Sequence, residues 1–273
     1  MGSEKAQASR SRSSAPARRM LAGLLLIVLA VFLLLPPWSV LDKAHLIGYG
    51  ICHQIPARSF HPGGQQLPLC ARCTGTYLGA TLAFATYLLL GRRRSAGLPP
   101  LPLLTALAVF IVLMGIDGLN SYLTFFPDLP HLYEPSNLFR LVTGTLNGLA
   151  LATIVFPVFN FTLWRTVDPQ PVLRNFVELA VLLVAALTLV LVTQAELDFL
   201  LYPLALLSTA GVLAMLTLIN SMILLIMARG GNVAETWGDA LLPLLAGLTL
   251  SVLEIAAMGA VRALLTRYYG LSF

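Results

Sequence analysis

The chain has 273 residues, of which 58% are hydrophobic and only 11% charged, with a mean hydropathy of +0.83. A surface of that composition is too apolar to be solvated at this size, so the chain reads as an integral membrane protein and not a soluble domain. The net charge of +5 does not point to nucleic acid: five of the cations fall within the first nineteen residues, most others flank apolar runs, and no basic stripe with interleaved aromatics occurs.

The opening stretch MGSEKAQASRSRSSAPARR is rich in Ser, Ala and Arg and has no apolar period, which predicts a disordered basic tail over 1–19. A bilayer crossing needs roughly 20 apolar residues, and seven stretches qualify as candidates: Met20 to Val40, Thr74 to Leu90, Leu101 to Asn120, Leu138 to Trp164, Val172 to Thr193, Phe199 to Ala228 and Ala240 to Leu264. The first has a basic flank and a break at Pro36-Pro37, as a signal peptide would, but no A-x-A-like site follows it, so a retained anchor is expected.

Lys and Arg set the orientation. With the N-terminus in the cytoplasm, eleven cations lie inside (Lys5, Arg10, Arg12, Arg18, Arg19, Arg92, Arg93, Arg94, Arg165, Arg174, Arg229) and six outside. The positive-inside rule therefore selects an N-in, C-out multi-pass protein of the cell membrane, with GRRRSAG as its firmest cytoplasmic marker. The expected architecture is all-α, a polytopic bundle of about seven spans. It divides into the tail (1–19), a membrane region with an extracytoplasmic Cys/His loop (20–148) and C-terminal transmembrane helices (149–273). No internal repeat is evident, which speaks against a simple inverted duplication.

The loop between the first two spans holds all three cysteines: ICHQIPARSFHPGGQQLPLCARCTGTYLG, from Ile51 to Gly79. Its Gly and Pro spacing predicts a structured segment, with a short or re-entrant helix near Leu41 to Gly50. Cys70 and Cys73 form a C-x-x-C pair at the start of a span, where a helix dipole favours thiolate over thiol. With Cys52 and His53 they offer four donors, the complement of a tetrahedral zinc site or one for another transition metal. Adjacent side chains diverge, which leaves His61 and His45 as alternative nitrogen ligands to His53. Two other readings stay open. One is a thiol-disulfide relay linked to a quinone, with Cys52 as partner thiol and Arg58 and Arg72 favouring thiolate. The other is a disulfide that merely staples the loop.

Ionisable groups inside apolar spans need a reason to be there. The third span carries MGIDGLNSY, with Asp117 toward its outer end; the fourth begins PSNLFRLVTGTLNG, with Asn137, Arg140 and Asn147 on one face. Asp117 and Arg140 could pair to tie two helices together, Gly144 and Gly148 supplying a small-xxx-small contact. Alternatively Asp117, Asn137 and Arg140 join His53, Arg58 and Arg72 in a polar pocket that holds an anionic head group or supports the metal's ligands. Glu254 in the last span is expected neutral and hydrogen-bonded to a neighbouring helix, and Asn220 and Ser221 are expected to bond between helices. H-E-x-x-H, the phosphate-binding G-x-x-x-x-G-K-[ST] and G-x-S-x-G are all missing, so no standard hydrolase or nucleotide chemistry is indicated.

The segments CHQIPARSF, LPLCARCTGTYLG, GIDGLNS and SNLFRLVTG together resemble a family of predicted microbial membrane proteins, the domain of unknown function 2085 family. The resemblance covers about Ile47 to Gly148. It implies that Cys52, His53, Gln54, Arg58, Ser59, Cys70, Arg72, Cys73, Thr74, Gly75, Asp117, Gly118, Asn137, Arg140, Thr143 and Gly144 match the family pattern, and it supplies no activity. From the residues, the leading expectation is a metal site formed by Cys52, His53, Cys70 and Cys73, with Gln54, Arg58, Ser59, Arg72, Asp117, Asn137 and Arg140 around it. The alternatives are a membrane oxidoreductase and a structural or assembly subunit of a membrane complex. The lipid bilayer is the expected partner, nucleic acid is not, and partners in a membrane complex stay open.

Overall fold

The computed structural model describes residues 19–126, 130, 132–228 and 230–270. The predicted disordered tail, with Lys5, Arg10, Arg12 and Arg18, lies outside them apart from Arg19, and so does Arg229.

Helices form over all seven apolar stretches. In chain order they are α1 (Arg19–Leu34), α2 (Val40–Ile51), α3 (Ala71–Leu89), α4 (Leu101–Leu123), α5 (Asn137–Leu163), α6 (Phe176–Gln194), α7 (Leu201–Met227) and α8 (Trp237–Tyr269). The extra helix, α2, is the short one expected near Leu41 to Gly50. Ser39 caps it by accepting the Asp42 N–H at 3.1 Å, and it ends where the backbone turns extended at Cys52. Ser136, Asn175 and Thr236 cap α5, α6 and α8 in the same way, Thr236 within a reciprocal capping box with Asp239.

Among the described residues five helices, α4 to α8, are long and apolar enough to cross a membrane, while α1 is shorter and α3 is more polar. The polarity of α3 follows from its position. It is the central helix, packed against α5, α7 and α6, so its threonines bond backward to its own carbonyls instead of facing lipid. The outer faces of α4 and α6 expose Val109, Val112, Val181 and Val184, the chemistry of a bilayer contact.

Glycine allows α3 and α5 to touch backbone to backbone. A Cβ added at Gly144 would stand 2.2 Å from the Arg72 carbonyl oxygen, and one at Gly148 would stand 1.9 Å from that of Thr76. Gly75 and Gly79 return the contact against Leu141 and Thr145. The small-xxx-small contact read from Gly144 and Gly148 is therefore present, with a matching pair on the partner helix.

The two ends of α3 differ sharply. At its C-terminal end, Arg92 is buried and donates to Glu178 of α6 from Nη1 and Nη2 (2.7 and 2.6 Å), while Arg94 lies 4.3 Å above the Trp164 ring. A parallel two-stranded ribbon closes this end, β1 (Ser95–Gly97) beside β2 (Asp168–Pro171). The N-terminal end of α3 carries the cysteines. There Arg72 reaches the C-terminal part of α4 and the first turn meets the start of α5, while Arg262 of α8 bonds the Cys52 carbonyl just after α2.

Candidate functional site

Cys52 follows α2 directly, Cys70 occupies the N-cap position of α3, and Cys73 sits in its first turn. Between them, residues 53–69 form a loop that is stitched tightly to the helices. Gln54, with a left-handed φ of 53°, donates from Nε2 to the carbonyls of His45 (2.9 Å) and Pro68 (2.7 Å), binding the end of α2 to the approach to α3. Gln66 donates to the Gln54 carbonyl (2.8 Å) and to Ser59 Oγ (3.1 Å). Buried Ser59 in turn donates to the Ile55 carbonyl, and Asn137 Nδ2 reaches the Ser59 carbonyl at 3.3 Å. Gly48 lies against Pro68 so closely that a Cβ there would be 2.1 Å from the Pro68 oxygen.

The consequence is that the three sulfurs lie within 4.8 Å of one another, and all three are free thiols. The Cys70 N–H donates to Cys52 Sγ at 3.2 Å. Hydrogen bonds from Cys52 and then Cys73, aided by the charge of Arg72, hold the Cys70 thiol down to about 2 against the opposing effect of burial. Cys52, bonded to Cys70 and buried, is pushed up. The cluster therefore concentrates negative charge at the start of α3.

No histidine or carboxylate joins the three sulfurs among the described residues. His53 is exposed, and what its backbone contributes is a carbonyl that accepts from Arg262 at 2.8 Å. His45 and His61 are half-buried; the His45 carbonyl accepts from Gln54, and the His61 N–H donates to Glu196 at 2.5 Å.

Asp117 is 1% exposed, and its partner is Arg72, not Arg140. Arg72 donates to Asp117 Oδ2 from Nε (3.1 Å) and from Nη2, and Nη2 also reaches the Asp117 carbonyl (3.1 Å) and Ser121 Oγ (3.0 Å). Tyr133 donates its hydroxyl to Asp117 Oδ1 at 2.8 Å. The correction has a geometric reason: Gly144 brings the first turn of α3 against α5, so the Arg72 side chain extends away across to α4, whereas Arg140 is taken up locally by Asn137 Oδ1 at 2.9 Å.

Two cavities flank the cluster. One, of about 620 Å³, is largely apolar and lies between α2, α7 and α8, with Cys52, His53 and Glu254 in its wall. The other, of about 540 Å³, is lined by Cys70, His53 and three arginines, Arg58, Arg72 and Arg140. Glu254 accepts from Asn220 Nδ2 at 2.6 Å, so its expected bond to a neighbouring helix is present; Ser221 donates to the Pro243 carbonyl of α8.

Tyr133, Ser121, Gln66 and Arg262 belong to the site although the sequence reading did not single them out. Arg262 had a visible signal, a cation inside the apolar run of the last span. It donates to the Cys52 carbonyl at 2.6 Å and stacks on Tyr49 at 4.2 Å, which anchors the cysteine loop to α8.

The arrangement can be set beside known proteins. Over 104 residues the chain is 36% identical to an uncharacterized protein from Methanothermobacter thermautotrophicus, an alignment covering 38% of this chain and 83% of the relative. It is 28% identical over 109 residues to an uncharacterized protein from Methanocaldococcus jannaschii, covering 40% of this chain and 64% of that one. No solved structure matches. The family described as "predicted membrane protein (DUF2085)" matches residues 52–154, a block that opens on Cys52 and runs through Cys70, Cys73, Asp117 and Arg140. The chain belongs to the DUF2085 family of predicted membrane proteins.

Proposed function

We propose that Cys52, Cys70 and Cys73 bind a transition metal, zinc by preference, through three thiolates, at the extracytoplasmic face of a seven-span protein whose N-terminus is cytoplasmic. The observation that carries this reading is the convergence of three sulfurs within 4.8 Å, drawn from two separate segments with no disulfide between them. Zinc bonded to sulfur at about 2.3 Å in a tetrahedron requires sulfurs about 3.8 Å apart, a spacing this cluster can take up with small rotamer changes. The Cys70 N–H to Cys52 Sγ bond is the kind of outer contact that orients a metal thiolate. With three protein ligands the fourth position is left for water or a substrate, as in catalytic zinc sites and unlike closed structural ones. The metal would act there as a Lewis acid, and the protein supplies the enclosing shell: Gln54 and Gln66 fix the loop, and Arg72 is held by Asp117.

The orientation rests on the arginine-rich loop at the opposite end of α3. Counting α1 and α3 among the spans gives the seven of this reading, in which the cysteines and the arginine triplet face opposite sides of the bilayer.

One observation favours a second reading. Cys52 forms part of the wall of the apolar 620 Å³ cavity, which could seat a quinone beside a thiol. Oxidation of two of the cysteines to a disulfide releases two protons and two electrons, and a quinone reduced to quinol takes up both pairs.

The deciding experiment is elemental analysis of detergent-purified full chain, wild type beside Cys73→Ser. About one equivalent of metal in the wild type and little in the variant is the expected result. Metal-free wild type with a disulfide whose occupancy changes on quinone depletion would replace the metal reading with the redox one.

A further inference from the structure

We propose that the 540 Å³ cavity beside Cys70 binds a phosphate group, gripped by Arg58 and Arg140. The inference is independent of whether the neighbouring thiols hold a metal.

Three guanidiniums line this cavity, and the carboxylate next to it is already committed. Asp117 spends both oxygens on Arg72 and Tyr133. Among the described residues, neither Arg58 nor Arg140 has a carboxylate within ion-pair distance. Each guanidinium carries five N–H donors. Arg140 uses Nη1 on Asn137 Oδ1 at 2.9 Å, and its Nε is buried with no acceptor although the residue is only 7% exposed. Arg58 reaches the Ser121 carbonyl at a long 3.5 Å and rests its guanidinium 4.3 Å above the Phe125 ring, a stacking that fixes the plane and leaves its other edges free. Partial burial, followed by the charge of Arg72, pulls Arg58 below its ordinary value, and the charge of Cys70 offsets this only in part.

Unpaired guanidiniums enclosed in one cavity are costly unless an anion completes them, and a phosphate matches their donor geometry bidentately. The position suits two sources of that chemistry. The cavity lies at the helix ends near the expected bilayer surface, where a phospholipid head group could enter past Tyr122 and Phe125, and it is large enough for a free phosphate with water.

The test is calorimetric titration of delipidated, detergent-solubilised full chain with sodium phosphate and, separately, with short-chain phosphatidylglycerol, using wild type, Arg58→Gln and Arg140→Gln. Saturable binding that weakens as salt rises and falls at least about tenfold in each variant is expected. Binding of both ligands, or of inorganic phosphate alone, identifies a soluble phosphate site; binding of the lipid alone identifies a head-group site. Arg58 lies in the loop and its change should leave helicity intact, so the result does not depend on the Arg140 variant folding. Absence of saturable binding of either ligand to the wild type, or equal binding in folded Arg58→Gln, overturns the proposal.

Discussion

Asp117→Asn is the sharpest perturbation of the framework that holds the cysteines. In the wild type a carboxylate that is 1% exposed receives Arg72 on one oxygen and Tyr133 on the other. The amide keeps shape and volume but removes the charge opposing a guanidinium whose side chain is only 21% exposed. Removing one member of a fully buried ion pair costs about 3–5 kcal/mol. Here Arg72 still reaches Ser121 Oγ and the Asp117 carbonyl and is partly open to solvent, so the cost falls to about 2–3 kcal/mol. In thermal unfolding this corresponds to a fall of about 5–10 °C. The assay is a melt in detergent with chelator present, so that ligand binding to the native state does not mask the difference. Arg72→Gln should cost a similar amount, and the double variant should cost less than the two added, by about 1.5 kcal/mol or more. Additivity to within about 0.5 kcal/mol would show that the pair does not couple α3 to α4, and the account of Arg72 given above would fail.

Gly148→Ala and Gly115→Ala should differ in sign. The first places a methyl group 1.9 Å from the Thr76 oxygen and should destabilise by about 1–3 kcal/mol, whereas the second meets nothing within 4 Å and should be neutral or mildly stabilising; equal melting shifts would refute the close α3 to α5 contact. Tyr133 gives a pH signature. Burial, with the bond to Asp117 adding to it, pushes its hydroxyl up to about 12, above the unfolded value near 10. Its contribution is therefore complete below about pH 10 and lost as pH rises toward about 12, and Tyr133→Phe should abolish that part of the alkaline loss seen in denaturation curves. Orientation is read by an impermeant maleimide on intact cells: a cysteine at exposed Ala57 should label above the wild-type background and one at exposed Arg93 should not, and the reverse pattern would invert the topology.

The helices were legible because membrane spans announce themselves by apolar length, but their exact starts were not: α6 begins at Phe176 after the Asn175 cap and not at Val172, and α8 at Trp237 after Thr236 and not at Ala240. The cysteine cluster was legible from Cys70 and Cys73 one turn apart beside a third thiol. Which arginine meets Asp117 was not. Arg72 and Arg140 both lie near the same helix ends, and the choice depends on the rotation of α3 set by Gly144 and Gly148, a three-dimensional fact that spacing along either helix does not encode. Tyr133 reaches Asp117 from the connection between α4 and α5, where no period exists to place it. The ribbon of β1 and β2 was invisible for a similar reason: its strands are very short, one contains two prolines, and they pair across a long sequence separation. The nitrogen donor is a different matter, because among the described residues the three sulfurs gather without a histidine. The divergence of adjacent side chains was already a reason to keep His61 and His45 beside His53 as nitrogen donors, and the extended backbone at Cys52 follows that geometry.

The charge around the cluster links the metal and phosphate proposals. Three thiols so close together cannot all ionise without a counter-ion, because like charges at this separation in a partly buried site raise one another's pKa. One shared thiolate charge, or a divalent metal with three thiolates, leaves the same net single negative charge, so the electrostatic character of the centre is preserved in both states. Across the 540 Å³ cavity stand three guanidiniums, of which Asp117 compensates one and the cluster can compensate a second. One cation remains unmatched, and it belongs to the pair whose donors are least used, Arg58 and Arg140. A phosphate monoanion or a phosphodiester head group would restore neutrality and bring an oxyanion to the wall that contains Cys70. A metal with an open fourth position at that wall would then face an anionic group, held by residues that contribute nothing to the metal's own coordination. This separation of roles makes the two proposals independently testable: loss of Cys73 should empty the metal site while phosphate binding persists, and loss of Arg58 should do the converse.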